Sequence, residues 1–489
     1  MLNSVEKKEK KALEAWRQAM EKYGKGTGKY ADKHMADARK ALKKAKDAVP
    51  VWIMPLSRVM QMFDDPKPEM FDLVIFDEAS QCDVRGVLAS YLGEQLLVVG
   101  DPKQVSPSGV FVNQEENQRL VDQYLYDIPH QEGFSKDRSF YDIAAMRLPD
   151  TIMLKEHFRS VPKIIGFSNH LSYGGKIEPL REQPPNSKLK PVLNPVHVDN
   201  GYVNKNNKVN EPEARAVVDK LKKLVQDDRY AKSPRDNQSK CSFGVVTLLG
   251  NDQAAYINKL INQKISNKEI EDRNIECGNP YTFQGDERDV MMLSMVKALD
   301  QEDPEKTIRA LTTKRYKRRF NVAASRASDQ VFLFHSIPRN HLKNDEDVRK
   351  RLLDWFYDPQ LEELESGRDA LEREYEDGRA SKFSYDVGNI IINRGYKVIP
   401  EYKVIGYHID LVIEGENARL AVECDGDQYH GPDQIEEDTR RENKLRRAGW
   451  EFWRLSGSQF YRHGKKALDS LWDKLEDMGI NPVIETEVE

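Results

Sequence analysis

Two apolar runs near the start of the chain end abruptly in acidic and amide side chains. The first run, FDLVIF, is followed by Asp77 and Glu78, and the second, LLVVG, leads to Asp101 and Gln104. An apolar run of this kind is typical of a parallel strand buried on both faces, and the carboxyl ends of such strands open onto ligand sites. Two such strands in series predict an α/β fold built on a doubly wound parallel sheet.

The side chains at these strand ends suit phosphate chemistry. Asp77 can hold a hydrated Mg²⁺, and Glu78 can orient or deprotonate a water molecule. The amide of Gln104, at the neighbouring strand end, can sense the γ-phosphate of a nucleotide. An acidic pair after an apolar run is often only a solvated strand end, so this hypothesis depends on the later segments of the chain.

Five segments, in this order, resemble motifs of the superfamily 1 helicases. They are DEASQ (motif II, Walker B), GDPKQ (motif III), LKEHFRS at Leu154–Ser160 (motif IV), YTFQGDERDVMMLS at Tyr281–Ser294 (motif V) and RRFNVAASRAS at Arg318–Ser328 (motif VI). The resemblance implies two RecA-like domains of doubly wound parallel sheet, with ATP as the cofactor and DNA as the partner. The second domain is expected to contain buried strands at Phe243–Leu249 and in motif V, with Val331–His335 closing its sheet and Asp227–Lys240 as an exposed linker.

The resemblance also implies roles for single residues. Arg159 and Arg326 would reach the γ-phosphate as arginine fingers, and Gln284, Gly285 and Glu287 would couple nucleotide to nucleic acid or touch the ribose. The alternative for Arg326 is a surface arginine beside a helix.

The phosphate-gripping Walker A loop of that family is missing from this sequence. GKGTGK at Gly24–Lys29 does not qualify, because helical patterns flank it on both sides and Tyr30 stands where Ser or Thr is required. The first RecA-like domain is therefore expected to be incomplete. Two explanations remain open: the missing part belongs to a longer protein of which this is a C-terminal fragment, or another chain completes the sheet.

Residues 5–47 show apolar residues at helical spacing on both sides of the glycine-rich break. The pattern predicts two amphipathic helices, a hairpin with a lysine-rich outer surface. Two interpretations of that surface stay open: an ordinary solvated face, or a basic arm that tracks a nucleic-acid backbone.

A second acidic cluster lies near the carboxyl end, where YHIDLVI, the turn GEN and ARLAVECDG predict a β-hairpin. If Glu414–Asn417 is the loop, Asp410 faces Ala421, and Glu423 is its diagonal neighbour on the same face as Asp425. Carboxylates gathered on one face repel unless a cation lies among them, which favours a Mg²⁺ or Mn²⁺ site. The alternative is a hairpin whose acids are simply exposed.

This hairpin, with the helix DTRRENKLRRAGW and the strand WEFWRLS after it, resembles the PD-(D/E)XK nucleases and among them the Vsr-like group. The resemblance implies a restriction-endonuclease-like α/β domain in which Asp410 and Glu423 bind metal and Asp425 occupies the usual lysine position. Supporting polar positions would be His430, Asp438 and Arg441.

Two positions depart from the nuclease pattern. Ser384 stands where the preceding helix often offers a glutamate, and the lysine is absent. Without the lysine, the metal itself must lower the pKa of the attacking water.

The whole pattern resembles bacterial helicase-nucleases of anti-phage defence. The expected parts are a lysine-rich hairpin (1–50), a partial first helicase domain (51–146), a second helicase domain (147–338), a helical connector (339–380) and the nuclease (381–480). The function expected is ATP-driven movement on DNA that delivers the strand to a metal-dependent endonuclease. The alternatives are an ATP-independent DNA clamp in which only the nuclease is active, and a non-catalytic platform.

Composition adds limits to these interpretations. The chain has 76 Lys+Arg and 81 Asp+Glu, so any basic surface must be local. Its four cysteines are scattered without a CxxC pair, which argues against a zinc module or disulfide framework and favours the cytoplasm. No apolar run approaches the roughly twenty residues of a membrane span, and the lysine-rich start lacks the apolar core of a secretory signal.

Overall fold

A computed structural model of the chain describes thirteen ranges: 7–45, 48–63, 66–106, 114–129, 131–134, 138–148, 150–181, 189–359, 366–404, 407–415, 418–426, 440 and 442–482. The chain divides into two compact units, Met1–Ile152 and Met153–Glu489. No helix of the described residues is both long and apolar enough to cross a membrane.

The first unit contains helices and a short parallel sheet. Its elements are α1 (Lys7–Tyr23), α2 (Ala31–Ala45), α3 (Leu56–Met62), β1 (Phe71–Phe76), α4 (Gly86–Ser90), β2 (Gly93–Val98), α5 (Gln114–Tyr124) and α6 (Phe140–Ala145). Helices α1 and α2 pack together through small and apolar side chains such as Ala19, Met35 and Leu42, as their spacing predicted.

Strands β1 and β2 pair in parallel, with Phe76 opposite Val98. Large apolar side chains nevertheless remain open to solvent along both strands, including Leu73 (46% exposed), Ile75 (58%) and Leu97 (48%). Parallel sheets are normally covered on both faces. The pair β1–β2 therefore leaves apolar surface uncovered.

The second unit is larger and contains two sheets of four or more strands. Its helices are α7 (Pro162–Ser168), α8 (Glu211–Val225), α9 (Asp252–Lys264), α10 (Asn267–Asp272), α11 (Lys314–Ala324), α12 (Val348–Tyr357), α13 (Arg368–Glu376), α14 (Lys382–Asn393), α15 (Gly457–His463) and α16 (Asp469–Asp477). Its strands are β3 (Glu156–His157), β4 (Glu178–Pro179), β5 (Leu193–His197), β6 (Phe243–Thr247), β7 (Glu276–Gly278), β8 (Arg288–Ala298), β9 (Ala327–Ser336), β10 (Lys397–Val404), β11 (Tyr407–Glu414), β12 (Arg419–Asp425) and β13 (Glu451–Ser456).

The first of these sheets is parallel, in the order β5-β9-β8-β6-β7. Alternate residues of β8 and β9 face two separate apolar cores, one formed with α7, α11 and α12 and the other with α8 and α9. Helices on both faces of a parallel sheet confirm the doubly wound α/β fold.

The expectation that Val331–His335 closes this sheet is wrong. Strand β9, which contains that segment, lies inside the sheet, and β5 is the edge strand. The sequence of β5, LNPVH, contains a proline, which cannot donate a ladder hydrogen bond and is tolerated at an edge. A short strand with Asn and Pro carries little strand signal.

A buried carboxylate ties α8 to the ends of β8 and β9. Glu213 is fully buried and accepts hydrogen bonds from Ser294 Oγ (2.7 Å), Ser336 Oγ (2.8 Å) and the backbone N–H of Val296 (2.7 Å). Burial raises the pKa of Glu213 to about 7, although these hydrogen bonds act in the opposite direction. Val296 has a φ of 68°, and the bond to Glu213 holds the irregular end of β8 in place.

The second sheet of this unit runs β10-β11-β12-β13 and is antiparallel except for the parallel pair β12–β13. One face packs against α13, α14, α15 and α16. The other face is covered by Leu445, Trp450 and Leu180, the last of which comes from the segment after β4.

The segment 339–380, expected to be a connector, contributes to both cores. Helix α12 supplies Leu352 and Phe356 to the core of the parallel sheet, whereas Leu371 of α13 packs in the core of the four-stranded sheet. The domain boundaries given from the sequence remain predictions.

Leu180 joins the two parts of the second unit. Its side chain is completely buried among residues of β10, β11, β12 and β13. Nearby, the ammonium of Lys444 lies 2.9 Å from the carboxylate of Glu156, the first residue of β3. The four-stranded sheet therefore completes one face of its core with a side chain from outside its own sequence.

Replacing Leu180 with alanine should destabilise the second unit. Truncating a fully buried leucine to alanine costs about 2–5 kcal/mol through lost apolar contact and the cavity left behind. The measurement is urea unfolding followed by tryptophan emission, since Trp450 lies in the same cluster. The matched control is Leu154→Ala, because Leu154 is 81% exposed. Equal unfolding midpoints for the two variants would contradict the packing role of Leu180.

Candidate active sites

The carboxyl ends of β1 and β2 place the predicted acidic and amide residues at one sheet edge. Asp77 Oδ1 accepts a hydrogen bond from the backbone N–H of Glu78 (2.9 Å), and Glu78 itself is left-handed with a φ of 52°. Glu78 Oε2 accepts from the side-chain amide of Gln81 at 3.1 Å. On the neighbouring strand end, Asp101 Oδ2 accepts from Gln104 Nε2 at 3.0 Å.

A close backbone approach holds these two strand ends together. The backbone N–H of Ala79 donates to Val99 O at 2.8 Å, and that of Asp101 donates to Ser80 Oγ at 3.4 Å. A Cβ atom on Gly100 would lie 2.9 Å from the backbone nitrogen of Ser80, so only glycine fits there. The paired strands β1 and β2, together with the close approach at Gly100, thus position Asp77, Glu78 and Gln104 along one edge of the sheet.

In the second unit, motifs IV and V meet through Glu287. The guanidiniums of Arg159 and Arg235 both contact its carboxylate, and Arg235 Nε also lies 3.3 Å from Asp289 Oδ1. Burial alone would raise the pKa of Glu287, but the two guanidiniums hold it below its ordinary value. Glu287 is therefore an ionised bridge between two arginines.

Arg235 was missed by the sequence analysis. It lies inside Asp227–Lys240, which was expected to be an exposed linker, and its only local signal is a cation in a polar loop. Its role depends on contacts with Glu287 and with Ser328, residues distant in sequence.

Arg326 is almost completely buried, at 2% exposure, within its own domain. Its Nε donates to Val322 O at 3.1 Å, and its Nη1 lies 3.5 Å from Asp286 O. Its carbonyl accepts from the backbone N–H of Arg288 at 3.0 Å, beside the turn at Gly285, where φ is 79°. Motif VI is therefore attached directly to motif V, and Arg326 is no surface arginine.

Of the expected nucleotide contacts in motif V, Gln284 is partly buried and Gly285 is exposed. Both precede Glu287 in the same turn and lie next to the contacts made by Arg159 and Arg326. The residues inferred from motifs IV, V and VI thus come together at the turns around β8 and β9, although their roles stay predictions.

His157 lies near Arg159 and Arg326, the two arginines predicted to act as arginine fingers. Its Nε2 accepts from the backbone N–H of Ser160 at 3.0 Å, and Ser160 Oγ donates to Ala327 O at 2.7 Å. Burial, reinforced by the charges of Arg159 and Arg326, lowers the pKa of His157 to about 4. The neutral ring accepts a hydrogen bond that a protonated ring could not accept.

The depressed pKa of His157 predicts a loss of stability in mild acid. The unfolded chain binds the proton at about pH 6.5 and the folded chain only at about pH 4, so stability is complete above about pH 6.5 and falls as the pH drops towards 4. The loss from this group should reach about 2 kcal/mol at about pH 5.

The variant His157→Gln keeps a hydrogen-bond acceptor but does not titrate, so it should lose that part of the pH dependence. Urea unfolding midpoints of both proteins at neutral pH and at about pH 5 give the difference. His463→Gln is the control, because His463 is exposed. A wild-type acid sensitivity that His157→Gln leaves unchanged would contradict this assignment.

The β11–β12 hairpin differs in register from the sequence expectation. Ile413 pairs with Leu420 and Glu414 with Arg419, so the expected loop Glu414–Asn417 is wrong. Glu414 stays in the strand because its carboxylate contacts Arg419 (2.7 Å) and Lys397 (2.5 Å). Continued by one residue, the observed register sets Asp410 opposite Glu423 rather than opposite Ala421.

The same register extends across the whole sheet. Glu401 of β10 lies opposite Asp410, between the pairs Pro400–Leu411 and Tyr402–Ile409, and Glu423 pairs with Arg454 of β13. Glu401 has a φ of 46°, so its side chain does not follow the regular alternation of a strand. Glu401, Asp410, Glu423 and Arg454 thus stand at successive register positions across four strands, which we call the acidic row.

Glu401 and Arg454 were not singled out from the sequence. Glu401 had a signal, since it is an isolated acid in the otherwise apolar and basic strand KVIPEYKV. For Arg454, the alternating pattern of the strand EFWRLS indicates only that its side chain lies on the other face from Trp453 and Leu455. It does not predict which residues Arg454 contacts.

Burial and neighbouring charges disfavour the ionised form of Glu401 in the acidic row. Burial, together with the charges of Asp410 and Glu374, raises the pKa of Glu401 to about 7, while Arg379 acts against this rise. Asp410 Oδ2 accepts a hydrogen bond from the backbone N–H of Cys424 at 2.7 Å. Glu423 is 7% exposed, so its charge too is held away from bulk water.

Asp425, which the sequence analysis assigned to the usual lysine position, pairs with Arg454 of the neighbouring strand. Its two carboxylate oxygens lie 3.0 and 3.2 Å from Nη1 of Arg454, whose Nε also contacts Glu442 at 3.1 Å. A guanidinium from the next strand therefore supplies positive charge beside Asp425.

The acids fit a hydrated Mg²⁺ better than a fully enclosed metal. Within the described ranges, no group of three or more His, Cys, Asp or Glu side chains is arranged to hold a metal ion. Mg²⁺ usually keeps several waters and uses one or two carboxylates, which Asp410 and Glu423 can supply. His430, Asp438 and Arg441 lie outside the described residues.

Ser384, at the position of the often-present helix glutamate, is fully buried. Its Oγ lies 3.0 Å from Ser381 Oγ, and its backbone N–H donates to that hydroxyl in the N-terminal cap of α14. Ser384 thus serves the helix end.

Two family models match separate parts of the chain. A model described as AAA domain matches residues 137–336, and one described as REase_MTES_1575 matches residues 383–475. The chain therefore combines a helicase-like domain with a restriction-endonuclease-like domain.

Curated relatives agree with the helicase-like part. The chain is 26% identical over 297 residues to the uncharacterized ATP-dependent helicase MG140 homolog of Mycoplasma pneumoniae, covering 58% of this chain and 25% of that protein. It is 27% identical over 301 residues to the uncharacterized ATP-dependent helicase MG140 of Mycoplasma genitalium, covering 59% and 25%. The 5'-3' DNA helicase ZGRF1 of Mus musculus is 23% identical over 235 residues, covering 46% of this chain and 11% of that protein. The chain spans about a quarter or less of these relatives.

Proposed function

We propose that this chain is part of an ATP-dependent DNA helicase-nuclease, in which a motor moves on DNA and a Mg²⁺-dependent endonuclease of the Vsr-like type cleaves it. The observation that carries the proposal is the register of β11 and β12, which, continued by one residue beyond Leu411–Val422, sets Asp410 opposite Glu423. The helicase-like relatives and the nuclease family match support the combination. A role in anti-phage defence rests on the overall resemblance to bacterial helicase-nucleases.

In the proposed nuclease, Asp410 and Glu423 would hold the Mg²⁺. When bound, the metal would lower the pKa of a water molecule and stabilise charge on the phosphate. Arg454, held by Asp425 and Glu442, offers donors to a phosphate oxygen on the same face. Glu401, with a pKa of about 7, can accept or release a proton beside Asp410 near neutral pH.

Replacing either Asp410 or Glu423 with alanine should abolish Mg²⁺-dependent cleavage. We expect a loss of roughly 100-fold or more, since a bound metal supplies several kcal/mol of transition-state stabilisation. The assay follows nicking and linearisation of plasmid DNA, with and without EDTA.

Glu451→Ala is the matched control for this assay, because Glu451 lies on β13 of the same sheet but pairs with Lys474 at 3.0 Å. Circular dichroism establishes that each variant is folded. Cleavage by Asp410→Ala at the wild-type rate would remove the nuclease assignment.

For the motor, Asp77 would bind the Mg²⁺ of the nucleotide, Glu78 would orient water, and Arg159 and Arg326 would stabilise the γ-phosphate. The sequence of 489 residues contains no GxxxxGK[S/T] loop to grip the phosphates. The exposed apolar side chains of β1 and β2, including Ile75 and Leu97, support a first domain that needs further strands. We therefore propose that ATP hydrolysis requires a polypeptide that carries this loop, either joined to the chain or separate from it.

The chain alone should release no phosphate from ATP above background, even with DNA, whereas a longer protein or complex containing the loop should hydrolyse ATP. In that larger protein, Arg326→Ala should reduce hydrolysis by roughly 10³–10⁵, the range for arginine fingers. The control is Arg315→Ala, an exposed arginine of the same helix α11. Rapid hydrolysis by the chain alone would show that the loop is not needed.

A second candidate function is supported by the missing loop itself. The helicase-like domain would then be an ATP-independent DNA clamp, and only the nuclease would be active. The two candidates differ in whether ATP changes the rate or position of DNA cleavage by the larger protein: dependence on ATP favours the motor, and independence favours the clamp.

A further inference from the structure

We propose that the lysine-rich hairpin, defined as residues 7–45, is a binding surface for the phosphodiester backbone of DNA. The inference deepens the proposed function, on which it rests, by naming a part of the chain that would hold the DNA substrate. The inference is based on exposed lysines that take no part in the apolar packing of the hairpin.

The hairpin differs from the rest of the chain in charge. Residues 7–45 include thirteen Lys or Arg and five Asp or Glu, a net charge of +8, although the complete chain has a net charge of −5. All eleven lysines of the hairpin are exposed. A local positive field of this size attracts a polyanion and is costly to hold together without one.

The fold of the hairpin depends on its other face. Helices α1 and α2 bury Ala19, Met35, Ala38 and Leu42 between them and against Met62. At 100° per residue, the lysines lie on the opposite sides of both helices, because buried and charged positions alternate with helical spacing. The lysines are therefore available to a partner without any loss of packing.

The charge pattern also argues against an ordinary solvated face. Carboxylates three or four residues from a lysine can pair with it on a helix, and Glu14 stands at that spacing from Lys10 and Lys11. Across the described residues, no lysine of the hairpin forms an ion pair, and Arg17 with Glu21, at 3.7 Å, is the i,i+4 pair present there. The basic residues of the hairpin outnumber its acidic residues, and its lysines are exposed along both helices. An extended anionic partner could therefore contact several of them at once.

The dimensions suit a nucleic-acid backbone. Helix α1 has 17 residues, which corresponds to about 25 Å at about 1.5 Å per residue. Duplex DNA presents one phosphate charge per about 1.7 Å of axis, so several phosphates lie within reach of one helix. Contacts of this type bind DNA without reading its sequence.

The test removes four lysines of α2 together, Lys33, Lys40, Lys43 and Lys44, each replaced by alanine, which preserves helix propensity. Binding of the whole chain to a labelled duplex and to a labelled single strand is measured by fluorescence anisotropy over a salt series in EDTA, which prevents cleavage. The slope of log K against log salt reports the number of phosphates contacted.

The expected result is a slope shallower by about 3–4 for the duplex, or about 3 for the single strand, if each lysine meets one phosphate. The matched control replaces Lys222, Lys223, Lys259 and Lys268, which are exposed residues of the second unit, and should leave the slope unchanged. Arginine at the four α2 positions should retain the wild-type slope because the charge is kept. The form of DNA that the wild-type chain binds more tightly at equal salt is the preferred substrate.

An unchanged slope in the alanine variant, with helical content preserved by circular dichroism, overturns the inference. So does an equal effect of the control variant. The outcome is separate from that of the nuclease: a shallower slope together with full cleavage by Asp410→Ala would remove the nuclease assignment and leave the hairpin surface standing.

Discussion

Burial of the parallel strands on both faces decides where the polar chemistry of the second unit can lie. Every residue of β9 is buried, and alternate side chains of β8 enter two different apolar cores. A charged group in the middle of these strands would lose its hydration without gaining a partner. The buried Arg288, Asp289 and Asp329 lie instead near the starts of β8 and β9. Arg159 and Arg235 likewise converge on Glu287, in the turn that precedes β8.

The four-stranded sheet solves the same problem differently, because it carries charge on the face itself. The acidic row places Glu401, Asp410 and Glu423 on three neighbouring strands, with Arg454 on the fourth. Burial, and after it the charges of Asp410 and Glu374, raise the pKa of Glu401 to about 7, while Arg379 acts in the opposite direction. The protonation of Glu401 therefore depends on residues that other segments bring to it.

Local sequence patterns predicted helices and strands correctly where the structure of a segment depends mainly on its own residues. The two helices of the lysine-rich hairpin and the buried strands follow from apolar spacing, and the helicase-like motifs were placed on strand ends in the correct order. The failures depend on contacts between distant segments. The hairpin register shifted because Lys397, on another strand, helps keep Glu414 in β11, and no turn signal in GEN records that contact. Arg235 and Arg454 acquire meaning only from the carboxylates they meet in the folded chain.

One short segment connects the two sets of polar groups in the second unit. Leu180 is buried against the face of the four-stranded sheet that carries Glu423, since Ala421 of its cluster lies two residues from Glu423 on β12. The next residue, Arg181, donates to Arg159 O at 2.8 Å and to Asp329 Oδ1 at 2.6 Å. Leu180 thus packs into the sheet that carries the acidic row, and the adjacent Arg181 holds the backbone of Arg159. Because a trans peptide fixes neighbouring Cα atoms about 3.8 Å apart, displacement of the Arg159 segment must either carry Leu180 with it or break the Arg181 contacts.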